Sequence, residues 1–274
     1  MMTATRPPRF VYVYLHGLFS GPHSHKALAL GEYFRQQPWR GQAAGTHLHI
    51  PSLNHADATP MNVTEALHAL HGFYMGQNTK LPTPASHQTG HSGAERVTNV
   101  KLRIVGSSYG GYLAARFAQV HGGCVDSLIL LCPAFKLHVR LRQMIRDKDW
   151  ELLEQNQYRM PTRTRPVGAA ASASGWYSAV LPRSFIEDFE QQPVFPVPAC
   201  TTYIIHGSRD DVILPRWVMQ YADEHKKRFG LLDGDNAGHS RQRFQLEMVD
   251  DVHDLTAAST LDKIRSVISD VWAG

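Results

Sequence analysis

Short apolar runs rich in β-branched and aromatic residues alternate along the chain with longer stretches in which apolar residues recur at helical spacing. The runs predict five strands, at residues 10–15, 102–105, 127–131, 202–205 and 244–249. The longer stretches predict helices at residues 26–36, 63–73, 109–120, 216–227 and 261–272. This order predicts the α/β class, with a mostly parallel central sheet and helices on both of its faces.

Length and composition fit one folded domain. The chain has 274 residues, of which 43% are apolar and 19% are charged, which is enough apolar material for a buried sheet. Single α/β units of this size are common, so residues 1–274 are predicted to form one domain. The N-terminal residues lack an apolar signal region, and no window of about 18 uncharged apolar residues occurs. The expectation is a soluble, cytoplasmic protein with no membrane span.

Charge and cysteine content narrow the function only slightly. The net charge is +4 and the pI is about 9.0, but Lys and Arg are scattered along the chain, so no nucleic-acid partner is predicted. The three cysteines, Cys124, Cys132 and Cys200, lie in or beside apolar runs and lack the spacing of a disulfide framework. Free thiols in a reducing compartment are expected.

Residues 106–110, Gly-Ser-Ser-Tyr-Gly, carry the most specific chemistry in the chain. They match the G-x-S-x-G nucleophile elbow of α/β hydrolases and stand directly between a predicted strand and a predicted helix. The alternatives are a serine-capped turn or a phosphate cradle, and no lysine follows as a P-loop would need. Ser108 is therefore the predicted nucleophile. Ser107 would need glycine two residues earlier, where the chain has Val105, so Ser107 is expected to support the turn.

A second motif ends the first predicted strand. Residues 14–19 read Tyr-Leu-His-Gly-Leu-Phe, and the glycine allows the chain to turn a backbone N–H toward the nucleophile. We predict an oxyanion hole made by the N–H groups of Leu18 and Tyr109. Taken alone, His16-Gly17 also fits an ordinary turn at a strand end.

The acid of a catalytic triad is predicted within residues 206–215, which follow another strand. This position fits the chain order Ser, acid, His of α/β hydrolases. A carboxylate here would orient the imidazole and stabilise its charged form. Asp210 is preferred to Asp211 because the segment resembles the His-Gly-x-x-Asp pattern in which the first aspartate acts. A solvated acidic turn is the alternative.

Two histidines downstream of the acid compete for the role of base. The short Gly-His-Ser motif favours His239, whereas the architecture favours His253. The last strand of this fold precedes the catalytic histidine and the last helix follows it, and residues 244–249 are that strand. His253 is therefore the predicted base, and His239 stays the second candidate.

Together these motifs resemble the small YqiA-like esterases of the α/β-hydrolase superfamily. Residues 20–22 (Ser-Gly-Pro), 131–135 (Leu-Cys-Pro-Ala-Phe) and 249–256 add to the resemblance, and the last of these supports His253. The chain departs from the family at Val252, where glycine is usual, and at insertions over residues 76–98 and 230–242. The resemblance implies an esterase-like hydrolase without a cofactor, acting on a small-molecule acyl ester.

Two segments interrupt the alternation of strands and helices. Residues 76–98 are rich in Gly, Ser, Thr, Pro and His, which predicts a flexible surface loop. Residues 135–198 contain helical pieces near 140–154 and 183–191, and they lie where an α/β hydrolase would insert a lid over its active site.

The sixteen histidines raise the question of a metal site. His23 and His25, and likewise His47 and His49, are spaced so that they would share one face of a strand and could ligate together. No HExxH motif or cysteine pair supports such a site, so no metal is predicted.

The predicted function is that of a serine hydrolase acting on carboxylic esters. Thioesters and amides would use the same apparatus, because specificity depends on the walls of the pocket. The alternative is a non-catalytic protein that uses the fold to bind a small ligand or a partner. The natural substrate and the oligomeric state are left open by the sequence.

Overall fold

The core of the molecule is one six-stranded parallel sheet with the strand order β2-β1-β3-β4-β7-β8. The structure is a computed structural model that describes residues 8–36, 47–79, 100–229 and 244–272. The strands of this sheet are β1 (Arg9–Leu15), β2 (Leu48–His49), β3 (Val100–Ser107), β4 (Val125–Leu131), β7 (Thr201–Gly207) and β8 (Phe244–Val249). A separate antiparallel pair consists of β5 (Arg159–Thr162) and β6 (Tyr177–Val180).

Eight α-helices lie within the described ranges, seven of them between strands and the last one after β8. They are α1 (His25–Gln36), α2 (Val63–Thr79), α3 (Tyr109–Val120), α4 (Leu137–Met144), α5 (Asp147–Glu154), α6 (Arg183–Glu190), α7 (Pro215–Phe229) and α8 (Ala258–Trp272). A short 3-10 helix, Gly122–Cys124, leads into β4. None of the described helices combines the length and apolar character needed to cross a bilayer.

Both faces of the sheet are buried, as expected for parallel strands covered by helices. Successive residues of β1 alternate between two apolar clusters: Val11 and Val13 belong to one, and Tyr12 and Tyr14 to the other. Helices α1 and α8 cover one face, whereas α2, α3, α7 and the segment between β4 and β7 cover the opposite face. The predicted α/β class is confirmed.

The strand order places a topological switch between β1 and β3. From β1 the chain runs through α1 to the outer strand β2, whereas from β3 it runs through α3 in the other direction to β4. The connections leaving the carboxyl ends of β1 and β3 therefore diverge and leave a crevice between them. Ligands of open α/β sheets bind in such crevices.

The structure differs from the sequence predictions in three places. Strands β2, β5 and β6 are not predicted from the sequence, because a strand of two residues and short polar strands show little apolar pattern. The predicted helical piece near residues 140–154 is two helices, separated by Ile145 and by Arg146, whose backbone is extended.

The third difference concerns the predicted loop at residues 76–98. Helix α2 continues to Thr79, so the first residues of that predicted loop are helical. Gln77 is buried, and its carbonyl accepts a hydrogen bond from Arg9, which ties this last turn to the sheet. Residues 80–98 lie outside the described residues, as does the predicted insertion at 230–242.

Candidate active site

The elbow at the end of β3 is held in a conformation that few residues adopt. Ser108 has φ 53° and ψ −116°, a strained combination for a residue with a side chain. Its N–H donates to the carbonyl of Leu131 at 2.8 Å, and its carbonyl accepts from the N–H groups of Tyr112 and Ala134 at 3.1 and 2.9 Å. These bonds fix the backbone so that the Ser108 hydroxyl projects from the carboxyl edge of the sheet.

Glycine is required on either side of that serine. A Cβ on Gly106 would lie 2.5 Å from the carbonyl oxygen of Gly110, and a Cβ on Gly110 would lie 2.2 Å from that of Leu15. Both distances are shorter than real carbon–oxygen contacts, and both neighbours are backbone. The glycines therefore allow α3 to begin directly against β1 and β3.

The structure brings three predicted side chains together at the carboxyl edge of the sheet. His253 Nε2 lies 2.9 Å from the Ser108 Oγ, and His253 Nδ1 lies 2.7 Å from the Asp210 Oδ2. With the proton on Nδ1, the ring donates to Asp210 and its Nε2 accepts from the Ser108 hydroxyl. The hydroxyl, imidazole and carboxylate thus form one hydrogen-bonded path.

Asp210 is buried, and its surroundings stabilise the charged carboxylate. Only 3% of the residue is exposed, and its Oδ1 accepts the N–H groups of Val212 and Ile213 at 2.9 and 2.8 Å. Burial alone raises the pKa of this carboxyl, but the hydrogen bond and charge of His253 outweigh it and leave the pKa below its usual range. Asp211, the second candidate acid, is exposed.

A second histidine stands behind this carboxylate. His206 is fully buried, and its Nε2 donates to the carbonyl of Ile213 at 2.9 Å while lying 3.5 Å from the Asp210 Oδ2. Burial lowers the pKa of His206. No role for this histidine is predicted from the sequence, although it opens the same His-Gly-x-x-Asp segment that contains Asp210.

The loop that carries His253 follows β8, where the architectural argument predicts it. Asp251 accepts the N–H groups of Val252 and Ala257 at 2.8 and 3.0 Å, which closes the loop on itself. Lys26 donates from α1 to the carbonyl of Asp254. The side chain of Val252 is exposed, so the loop accommodates valine where the family usually has glycine. His239 lies outside the described residues.

The loop that contains Leu18, one of the two predicted oxyanion donors, lies beside Ser108. A Cβ on Gly17 would lie 3.4 Å from the Ser108 Cβ and 3.9 Å from its Oγ, so the loop after β1 runs alongside the serine. Leu18 follows in this loop, and Tyr109 is the first residue of α3. Within the described ranges, the Leu18 N–H donates to no backbone carbonyl outside the helices and strands, and the Tyr109 N–H belongs to the first residue of a helix, where N–H groups have no partner inside the helix.

His16 holds the peptide that contains the first of these donors. Its Nδ1 donates to the carbonyl of Gly17 at 3.0 Å, and its Nε2 accepts the N–H of Leu53 at 3.0 Å. Burial lowers the pKa of His16 to about 4, so the ring is neutral near pH 7. Because C=O and N–H point in opposite directions across a trans peptide, a fixed Gly17 carbonyl also fixes the Leu18 N–H.

Among the described residues, one group of three side chains has potential metal ligands close together. It consists of Cys132, His206 and Asp210, with ligand atoms within 4.8 Å of one another. Each already has a protein partner: the Sγ of Cys132 accepts from the N–H of Gly207 at 3.4 Å, and the other two make the bonds given above. The three side chains thus bond to the protein, and Cys132 and His206 both lie against the Asp210 carboxylate.

The whole-chain comparisons identify the fold. Alpha/beta hydrolase domain-containing protein 10 from mouse superposes with a TM-score of 0.56 and 16% identity, over 97% of this chain and 91% of that one. Est1E from Butyrivibrio proteoclasticus, in its structure with ferulic acid, superposes with a TM-score of 0.59 and 12% identity, over 96% of this chain and 88% of that one. This chain has the α/β-hydrolase fold. An esterase from Pyrococcus furiosus also superposes, with a TM-score of 0.57 and 13% identity over 98% of this chain and 83% of that one.

The family comparison agrees with the motifs. Residues 75–171, a little over a third of the chain, match the model of the uncharacterised protein family UPF0227, to which the YqiA-like proteins correspond. The matched stretch includes the elbow and β4 and ends beyond β5. The resemblance to YqiA-like proteins that the motifs indicate is confirmed. No curated protein sequence matches the chain.

Proposed function

We propose that this α/β hydrolase is a serine esterase that cleaves carboxylic esters through Ser108, His253 and Asp210. The observation that carries the proposal is the hydrogen-bonded path from the Ser108 hydroxyl to the Asp210 carboxylate, with steps of 2.9 and 2.7 Å. A nucleophile, a base and an orienting acid in this arrangement recur on unrelated folds that perform acyl transfer. Esterases among the proteins of similar fold support the choice of substrate class.

The first half of the reaction forms an acyl-enzyme. Ser108 Oγ attacks the carbonyl carbon of the ester while His253 Nε2 takes the hydroxyl proton, and Asp210 stabilises the charged ring. The negative charge that develops on the carbonyl oxygen is held by the N–H groups of Leu18 and Tyr109. When the tetrahedral intermediate collapses, the bond from carbon to the alcohol oxygen breaks, and the alcohol leaves with the proton from His253.

The second half releases the acid. His253, neutral again, takes a proton from a water molecule whose oxygen attacks the acyl carbon. The same two N–H groups hold the second oxyanion, and the bond to Ser108 Oγ breaks as His253 returns the proton to that oxygen. These steps use protein groups and water, and they restore every group to its starting state.

Several sequence predictions accompany this proposal. The substrate is a small acyl ester, with thioesters and amides open to the same chemistry. A single domain over residues 1–274, a lid function for residues 135–198 and a cytoplasmic location stay predictions. The non-catalytic binding protein stays the alternative, because fold alone does not determine activity.

The proposal is tested with a series of p-nitrophenyl esters of increasing acyl length. We expect turnover by the wild type and a loss of roughly 10⁴-fold or more in kcat/KM for Ser108→Ala. Ser107→Ala is the matched control. Ser107 is the neighbouring serine, but its hydroxyl contacts Tyr14, so this variant should keep most of the turnover. Turnover that survives Ser108→Ala contradicts the assignment of the nucleophile. Folded wild-type protein that is inert toward the whole series and toward a fluorophosphonate favours the binding protein.

A further inference from the structure

The loop after β1 contains a strained residue next to the proposed oxyanion donor. Phe19, which follows Leu18, has φ 54° and is 7% exposed. A residue with a side chain persists in this conformation only when its surroundings hold it there. The contacts that hold Phe19 therefore bear on where the Leu18 N–H points.

Two threonines from the segment between β4 and β7 supply these contacts. Thr162, at the end of β5, is fully buried, and its Oγ1 donates to the carbonyl of Phe19 at 2.8 Å. Thr164 donates from its Oγ1 to the carbonyl of Ser20 at 2.7 Å. Thr162 Oγ1 also accepts the N–H of Thr164 at 2.9 Å, which locks the two threonines to each other.

A third side chain completes the network from another direction. Asn54, which follows β2, donates from its Nδ2 to the carbonyl of Ser20 at 2.7 Å and to the Oγ1 of Thr164 at 3.1 Å. Gly21 leaves room for this approach, since a Cβ there would lie 2.9 Å from the Oγ1 of Thr164. Two successive carbonyls of the loop are thus held by side chains from distant parts of the chain.

We infer that Thr162 and Thr164 are positioning residues for the oxyanion hole, and that the β5 end of the inserted segment is a fixed brace on the loop after β1. The inference rests on the proposed function. An oxyanion hole acts only if its donors are fixed where charge develops, and a displacement of about 1 Å costs on the order of 100-fold in rate. The hydroxyls of Thr162 and Thr164 hold the two carbonyls that follow Leu18, so they restrict such displacement.

This brace distinguishes the inserted segment from a simple movable lid. A lid opens and closes around the substrate, whereas a brace stays in contact with the catalytic loop through the whole cycle. Loss of the brace should lower kcat and leave KM nearly unchanged, because the ground-state carbonyl depends less on the oxyanion donors than the transition state does.

The test compares Thr162→Val, Thr162→Ser and the matched control Ser174→Ala. Ser174 lies in the same inserted segment, and its hydroxyl bonds to Ser172 and to the N–H of Trp176. We expect Thr162→Val to lower kcat for p-nitrophenyl acetate by about tenfold, a fraction of the loss seen when an oxyanion donor is deleted. Thr162→Ser keeps the hydroxyl and should restore kcat to within about twofold of the wild type, and Ser174→Ala should not change it.

A second readout separates this inference from the proposed function. Phosphonylation of Ser108 by a fluorophosphonate also builds charge on an oxygen in the oxyanion hole, so its rate should fall in parallel with kcat. If the wild type and Thr162→Val are labelled at the same rate, the inference is wrong and the proposed function is unaffected. The same holds if Thr162→Ser is labelled as slowly as Thr162→Val. A folded wild type that is never labelled overturns the proposed function and, with it, this inference. Circular dichroism checks folding, and Thr164→Val, at a partly exposed position, replaces Thr162→Val if that variant does not fold.

Discussion

The elbow at residues 106–110 and the histidine loop at residues 250–255 deliver side chains to the same point by different means. The sequence of the elbow permits its conformation: Gly106 and Gly110 allow a turn that places Ser108 at φ 53°, which bonds to Leu131 and Ala134 then hold. Substituting either glycine would place a Cβ within 2.5 Å of a backbone oxygen. Five consecutive residues therefore mark the position of the proposed nucleophile in the sequence.

The histidine loop depends on residues from elsewhere in the chain. Arg209 donates its N–H to the carbonyl of Asp251 at 3.1 Å, and Lys26 donates to the carbonyl of Asp254. Gly207 lets the loop approach β7, since a Cβ there would lie 2.6 Å from the Asp251 carbonyl oxygen. Because β7, α1 and β8 must all be in place first, a short motif around the histidine does not determine its position.

This difference explains why the proposed nucleophile is predicted from a motif and the proposed base from the order of strands and helices. His239 has the better local motif, but His253 follows the last strand of the sheet and meets Asp210 at 2.7 Å. Substitutions of His253, of the elbow and of the histidine loop separate local from distant determinants of the site, and their expected effects decrease in that order.

The largest effect is expected from replacing the base. His253→Ala should lower kcat/KM for a reactive ester by roughly 10⁵- to 10⁶-fold, because the serine hydroxyl then lacks a proton acceptor. His239→Ala is the matched control and should retain wild-type turnover within about twofold. Steady-state kinetics on both variants decide the assignment, and a loss confined to His239→Ala would show that the local motif was the better guide.

The next effect concerns the elbow. Gly110→Ala would place a Cβ 2.2 Å from the carbonyl oxygen of Leu15. No side-chain rotation relieves this clash, because the position of Cβ and that of the oxygen are both set by the backbone. We expect a loss of about 4 kcal/mol or more in the free energy of unfolding, measured by urea titration. Gly72→Ala is the control: Gly72 lies within α2, and apart from its chain neighbours and the nearby backbone of its own helix, no described atom lies within 4 Å of the added Cβ, so alanine there should stabilise by about 0.5–1 kcal/mol. Equal stabilities for the two variants would contradict the steric account.

The smallest effect concerns pH. The pKa values of Asp210 and Asp251 lie below their usual range: burial alone raises them, but hydrogen bonds from the His253 ring and from Thr260, respectively, outweigh it. The unfolded chain therefore binds more protons than the folded one in acid, so their stabilisation is complete above about pH 4 and lost as the pH falls through the lowered values. The elbow, residues 106–110, offers only Tyr109 as an ionisable group, and burial raises its pKa well above 10, far from this range.

Asp251→Asn isolates the share of the histidine loop in this acid response. It should cost about 1 kcal/mol at pH 7, because hydrogen bonds to a charged acceptor are replaced by weaker ones. It should also flatten the fall in the free energy of unfolding as the pH drops below about 4, as urea titrations at several pH values would detect. A pH dependence identical to that of the wild type would show that this carboxylate does not hold the loop in its charged form.

Much of the fold is predictable from the sequence because the buried strands are marked by apolar runs. Strands β1, β3, β4, β7 and β8 coincide with predicted strands to within a few residues. Strand β2 has two residues, of which only Leu48 is buried, and β5 and β6 have four residues each, with a single fully buried position in each strand. Neither pattern differs enough from that of a loop to predict a strand.

The residues of the candidate site divide in the same way. Ser108 and the Gly17–Leu18 turn are predicted from motifs next to strands, and Asp210 from the family pattern. Thr162 contacts Phe19 across a sequence separation of 143 residues, and nothing around either residue in the sequence indicates the other. Such contacts become visible only after the chain has folded.

The central claim is that Ser108 is activated by His253 and Asp210, and covalent labelling followed by peptide mass spectrometry tests it most directly. The account predicts one fluorophosphonate adduct on the peptide that contains Ser108, absent from Ser108→Ala and strongly slowed in His253→Ala and Asp210→Asn. An adduct on another residue, or labelling of Ser108 that is as fast in His253→Ala as in the wild type, would contradict it.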